Sequence, residues 1–506
     1  MQTDHFDVVI VGAGLSGIGA ACHLRRRCPT KTFVLLDRRD AIGGTWDIFR
    51  YPGVRSDSDM HTLGYDFKPW KAAKAIADGP AILDYVRETA SENDIERHIR
   101  FHHLVESASW DSASCRWTVT ARRTEHGDTA SFTCNFLYMC AGYYSYEGGH
   151  LPEFPGIERY RGTVVHPQEW PEDLDYRDKH VVVIGSGATA MTLVPAMAEN
   201  GAQVTMVQRS PTYVVSRPDE DAIANRLRRL LPERLAYAVT RWKNVTLGRF
   251  FYHNTRVRPE RVKAMLLKGV RAALGPDYDV ETHFTPRYNP WDQRLCLIPN
   301  ADLFRTINSG AVEVVTDTID TFTEDGLKLD SGRELPADIV VTATGLRLVA
   351  VGNVAFEVDG EPVRFPDTVA YKGTMYSGVP NLASTFGYIN ASWTLRADLI
   401  ARFVCKVLNH MDATGTRRCT PRLREEDRGM PLRPFVDDFS SGYFARALDL
   451  LPKQGDRDPW RNTQNYAYER KLIGRARLDD GALVFEAPAE PTAVTDRELQ
   501  RVAAGG

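Results

Sequence analysis

The 506-residue chain carries 63 Lys and Arg against 66 Asp and Glu, a formal charge of −3, with 43% hydrophobic and 25% charged residues. Such a composition excludes disordered, collagen-like and disulfide-scaffold proteins, and the near-neutral charge gives no global attraction to nucleic acid. Length predicts two to four domains at about 150 residues each. No apolar run approaches the roughly 18 residues needed to cross a bilayer. The N-terminus enters a strand pattern without the basic start and long apolar stretch of a secretory signal, so a cytoplasmic location is expected.

In chain order, an apolar run from Phe6 to Val11 meets Gly12-Ala13-Gly14-Leu15-Ser16-Gly17 and then a helical pattern through Leu24. A second run, Thr32 to Leu36, ends at Asp37. Phe136 to Cys140 reads as a strand leaving this unit, and Pro152 to Gly162 as a linker. The strand, turn, helix and strand pattern then recurs: His180 to Ile184 runs into Gly185-Ser186-Gly187-Ala188-Thr189-Ala190, and Val204 to Val207 ends at Gln208-Arg209. Two dinucleotide units in full context weigh far more than one glycine motif. Ile339 to Thr342, followed by Ala343-Thr344-Gly345, reads as the return to the first unit. The fold expected is α/β: two Rossmann-like domains, the second inserted into the first. The expected boundaries are 1–150 and 341–484 for an FAD domain, 151–340 for an NADPH domain with a helical insertion at about 220–290, and 485–506 for a tail.

Glycine lets backbone approach a pyrophosphate, and the helix N-terminus that follows supplies amide donors and partial positive charge. Gly12, Gly14 and Gly17, and Gly185, Gly187 and Ala190, are therefore candidate anion sites. An acid closing the second strand accepts from ribose hydroxyls and repels a 2′-phosphate, so Asp37 suits FAD. In the second unit Gln208 replaces the acid, and Arg209 and Ser210 offer a cation and a hydroxyl to a 2′-phosphate, which suits NADPH. Electrons would then pass from nicotinamide to flavin. The eight cysteines include no CxxC pair, so neither a zinc site nor a redox dithiol is expected, and a disulfide reductase is disfavoured. No metal is expected.

Tyr160-Arg-Gly162-Thr-Val-Val-His166-Pro-Gln-Glu-Trp170-Pro171 resembles the fingerprint of the Baeyer–Villiger monooxygenases, a branch of the class B flavoprotein monooxygenases, with Tyr160 in place of Phe. Gly43-Gly44-Thr45-Trp46, Arg50 to Asp57, Asn289 to Cys296 and Asn390 to Trp393 look like the ethionamide-activating subgroup. The resemblance spans nearly the whole chain. It implies that Gly44, Thr45 and Trp46 lie along FAD, that Arg294 is the catalytic arginine with Asp57 beside it, and that His166 couples the domains. It also implies conversion of ketones to esters or lactones with NADPH and O2 through a C4a-peroxyflavin. Gln293 stands where the family often has lysine, which shifts the burden of holding the NADPH phosphate to Arg209.

Each step of such a reaction develops negative charge on oxygen, so a permanent cation such as Arg294 is the physical requirement. Asp57 would position it and offset its desolvation. Water must be excluded, and Trp46, Trp291 and Trp393 are candidate walls. S-oxygenation of thioethers or thioamides by the same intermediate stays open, as do a non-oxygenating redox sensor and an NADPH oxidase. Finally, Arg226 to Arg271 holds thirteen Lys or Arg against Glu233 and Glu260, interleaved with Leu227, Leu230, Leu231, Leu235, Trp242, Phe250, Phe251 and Tyr252. Two readings stand: a helical insertion packed on the nucleotide units, or a surface for peripheral membrane or self-association.

Overall fold

The computed structural model describes residues 3–437 and 439–487. Its first sheet is built around the strand Asp4–Val11, which pairs in parallel with Phe33–Leu36 on one side and Thr129–Met139 on the other. Val8, Val9 and Ile10 are wholly buried, as a parallel strand covered on both faces requires. An antiparallel meander extends the sheet through Arg116–Arg123 and His103–Asp111. Two later strands rejoin it: Ala355–Val358 beside His103–Asp111, and Leu382–Ser384 beside Thr129–Met139. Helix α1 (Leu15–Arg27) follows the first glycine turn and ends in three arginines, where cations complement the helix dipole.

The second sheet is wholly parallel, in the order Val312–Thr316, Gln203–Gln208, His180–Ile184, Ile339–Thr342, Thr163–Val165. Helix α2 (Ala188–Glu199) follows the second glycine turn. The strand Ile339–Thr342 thus belongs to this sheet, whereas the sequence reading made it the return to the first unit and placed a boundary at 340/341. An apolar strand ending in Ala-Thr-Gly carries no mark of which sheet it joins; pairing with His180–Ile184 settles it. Residues 222–274 form α3 (Ala222–Leu230), α4 (Glu233–Val257) and α5 (Pro259–Leu274). Of the expected tail, Phe485 and Glu486 lie in the strand Leu483–Glu486 paired with Arg418–Pro421; residues 488–506 lie outside the described residues.

One contact closes the first unit on itself, and another locks the two units together. Helix α6 (Trp393–Thr414) packs on α1 through His23 and Asp398, 3.0 Å apart and both buried. The loop after the short helix Thr45–Ile48 reaches the second unit through Arg55, whose guanidinium donates to Asp302 at 2.6 Å and to the Met191 carbonyl at 3.3 Å. Burial pushes the Asp302 carboxyl above its usual range, with Arg55 opposing it. Losing one partner of a buried pair strands the other charge. Arg55→Ala is therefore expected to cost about 3 kcal/mol or more of stability, measured by urea unfolding; a loss below about 0.5 kcal/mol would mean the pair is solvated.

Candidate active site

Both glycine turns open into one cavity of about 780 Å³, near the upper end of the roughly 300–1,000 Å³ usual for small-molecule and cofactor sites. Gly12, Gly14, Asp37, Gly44, Thr45 and Trp46 line it from the first unit, Gly187 from the second, and Asp57 and Arg294 stand in its wall. Gly17, Gly185 and Ala190 do not line it. A Cβ on Gly17 would collide with the Gly12 carbonyl, so this glycine serves the close packing of helix on turn. Ala190 is fully buried beneath the second turn.

Asp37 is buried, and its carboxylate accepts the Ala13 amide at 2.6 Å and the Arg39 amide at 2.9 Å. Burial pushes its carboxyl up while those two amides hold it down. The acid thereby braces the turn and at the same time lines the cavity. In the second unit Gln208 turns inward, donating to the His283 carbonyl at 2.8 Å and the Thr316 hydroxyl at 2.9 Å. Arg209 and Ser210 stand exposed outside the cavity lining. Among the described residues Arg209 has no ion-pair partner.

Arg294 and Asp57 form an ion pair across the cavity wall, and Arg294 also donates to the Ile389 carbonyl at 3.2 Å. Asp57 comes from the loop that follows the short helix Thr45–Ile48, and Arg294 from the segment just before the strand Cys296–Pro299. Trp393 stacks on Tyr143 at 5.1 Å between ring centroids and donates to the Ser16 hydroxyl at 2.8 Å. With Trp46 these rings give the cavity an apolar side. Trp291 does not contribute: it packs against Tyr252 of α4, away from the lining. Tyr143 and Tyr443, both in the lining, went unnoticed in the sequence because nothing local marks a tyrosine as cavity-facing. Burial pushes the Cys140 thiol, also in the lining, up to about 12, which keeps it protonated. All eight cysteines are free and buried.

The segment Tyr160 to Trp170 lies at the crossing between the sheets. The outgoing and returning chains pair there: Ser145 donates to the Arg347 carbonyl at 2.8 Å, and Val349 to that of Tyr143 at 3.0 Å. His166 accepts the Gln168 amide at Nδ1, 3.1 Å, so Nε2 carries the proton and donates to the Gly345 carbonyl at 3.2 Å. The same carbonyl accepts the His150 amide at 2.9 Å. The ring lies against Gly149, where any Cβ would collide with it. Tyr160 does more than replace an aromatic ring, because its hydroxyl donates to the Ala337 carbonyl at 2.9 Å. Trp170 is half-buried against Tyr176.

The residues fit FAD, with closely approached backbone at the first turn, a carboxylate at the end of the adjoining strand and a cavity of sufficient size. A model of flavin-binding monooxygenase-like proteins matches residues 66–267, and one of NAD(P)-binding Rossmann-like domains matches residues 10–78. The FAD-containing monooxygenase EthA of Mycobacterium tuberculosis is 55% identical over 97% of this chain and 100% of its own length. The probable FAD-binding monooxygenase AlmA of Acinetobacter baylyi is 46% identical over 95% of this chain and 96% of its own. The solved structure of an oxidized steroid monooxygenase bound to NADP shares the fold, with a TM-score of 0.75 at 22% identity, covering 96% of this chain and 100% of that one. The chain belongs to the flavin-binding monooxygenase family. It is an FAD-containing monooxygenase with an NAD(P)-binding domain.

Burial holds the His166 pKa below the ordinary 6.5. A group whose folded pKa is depressed in this way favours the neutral ring, so its contribution is intact above the unfolded value and is lost as pH falls through the folded one. Thermal midpoints of wild type and His166→Asn, followed from about pH 7 to 5, are expected to converge as the wild type loses its advantage. A constant gap would show that the ring's protonation is irrelevant. Gly149→Ala is expected to displace the ring and mimic that loss at neutral pH.

Proposed function

We propose that the protein is an NADPH- and O2-dependent monooxygenase of the Baeyer–Villiger type, converting ketones to esters or lactones. The observation that supports this most is the Arg294–Asp57 pair, set in the wall of the cavity that both glycine turns share. Bound flavin would take hydride from the nicotinamide and activate dioxygen. The protein's part is electrostatic. Arg294 stays protonated at any working pH and presents several donors in a plane, so it would stabilise the oxyanion that develops when the carbonyl is attacked. Asp57 would aim the guanidinium and offset the cost of its partial burial. Trp46, Tyr143 and Trp393 would keep water from the reacting atoms.

Arg209 and Ser210, at the end of the second unit's strand, are proposed to hold the 2′-phosphate of NADPH. A charge-assisted hydrogen bond to phosphate contributes roughly 1.5–3 kcal/mol, so Arg209→Ala should raise the KM for NADPH about tenfold or more and leave that for NADH unchanged. Equal effects on both would place the arginine away from the phosphate.

A second reading, oxygenation of sulfur in thioethers or thioamides, is favoured by the same pair seen from the other side. With Asp57 engaged, Arg294 adds little net charge, which suits a neutral, electrophilic oxygen donor. Product analysis with a cyclic ketone and an aryl methyl sulfide separates the two. Arg294→Lys is expected to lower ester formation by about 3 kcal/mol of transition-state stabilisation, a hundredfold or more, while NADPH is still consumed and hydrogen peroxide appears. Unchanged ester yield would remove Arg294 from the reaction.

A further inference from the structure

The basic insertion is the part of the molecule that the proposed oxygenation does not use. Its inner side is firmly seated. On α4, Tyr237 donates to the Tyr65 carbonyl at 2.9 Å, Asn244 to Asp59 at 2.9 Å, and Arg256 to Asp292 at 2.8 Å. Among the described residues no element covers the outer side. Among the described residues, eight of the fourteen exposed large hydrophobic side chains lie between 223 and 265. On α4, Leu235, Trp242, Phe250 and Val257 are 50 to 68% exposed. They recur every seven or eight positions, which places them along one stripe of the helix.

Charge accompanies this stripe. The segment 226–271 has a net charge of +11 in a chain of −3. Of its thirteen cations, Arg241, Lys243, Arg256 and Arg271 have carboxylate partners; the other nine have none among the described residues. Beside α4 a second cavity of about 650 Å³ is lined by Arg26, Arg234, Arg241, Arg402 and Arg470 against only Asp66 and Asp398, with the exposed Trp242 also in its lining. Both carboxylates are already engaged, Asp66 by Arg402 and Asp398 by His23 and Arg241.

We propose that α3, α4 and α5 form a docking face for an anionic phospholipid bilayer. Apolar side chains on the outer stripe would enter the interface, and the unpartnered cations and the arginine-lined cavity would meet the phosphates, as in helices that lie in the plane of a membrane. No helix among the described residues is long and apolar enough to cross a membrane, so the association is peripheral. Pairing of two copies through this face is opposed by its own charge, since each would present its unpartnered cations to those of the other. The proposal does not depend on which substrate is oxygenated.

The test uses the FAD-loaded enzyme in sedimentation with vesicles of phosphatidylcholine alone, or of phosphatidylcholine and phosphatidylglycerol in equal parts, at low and high salt. Two double variants accompany it, Trp242→Ser with Phe250→Ser and Arg249→Glu with Arg258→Glu. The enzyme is expected to partition onto the anionic vesicles only and to be released largely by salt. Each double variant should bind at least tenfold more weakly while keeping wild-type NADPH oxidation and thermal midpoint. Failure to bind anionic vesicles at low salt would overturn the proposal. So would equal binding to both vesicles, wild-type binding by the variants, or self-association that the apolar variant abolishes without any vesicle binding.

Discussion

The carbonyl oxygen of Gly345 accepts hydrogen bonds from the His150 amide and the His166 ring at the place where the chain passes between its two sheets. Rigid placement of that crossing is the constraint on which the rest depends. A single cavity can face both glycine turns only if the second sheet keeps one orientation relative to the first, and two short antiparallel stretches of backbone would not ensure it alone. The histidine adds a third strut, and Gly149 leaves room for it. This is why a histidine that does not itself line the cavity, but holds the lining residue Gly345, can matter as much as one within it.

The same constraint determines what the Arg294–Asp57 pair can do. Its two members come from segments brought together by the docking of the 50–57 loop on α2 and by the hold of α4 on both sides: Asn244 fixes Asp59, and Arg256 fixes Asp292. Arg55, buried against Asp302, completes the arrangement. A cation assembled in this way can be placed where negative charge develops and still be balanced when none is present. The helix that holds the pair from behind is also the one whose outer stripe is uncovered.

Much of this was legible in the sequence because its signals are local. The two glycine turns announce their strands and helices through apolar runs on either side, and Asp37 follows from its place at the end of the second strand. Long-range pairing left fewer marks. Nothing local shows that Ile339–Thr342 joins the second sheet, that Gln208 turns inward to His283, or that Trp291 packs on α4 instead of the cavity. Arg55 carries no local mark of its role, since its partner lies far along the chain at Asp302. Tyr160 shows the limit of reading a motif by residue class, because its hydroxyl has a partner that phenylalanine would lack.

A double-mutant cycle between Asp57 and Arg294, read on oxygenated product per NADPH consumed, tests the central claim most directly. If Asp57 acts by holding the guanidinium, Asp57→Ala should reduce the yield in the wild-type background and change it little once Arg294 is already alanine. The coupling between the two sites should then be about 1 kcal/mol or more. Losses that simply add, with no coupling, would mean that the two side chains act independently and that the pair is not the working unit of the site.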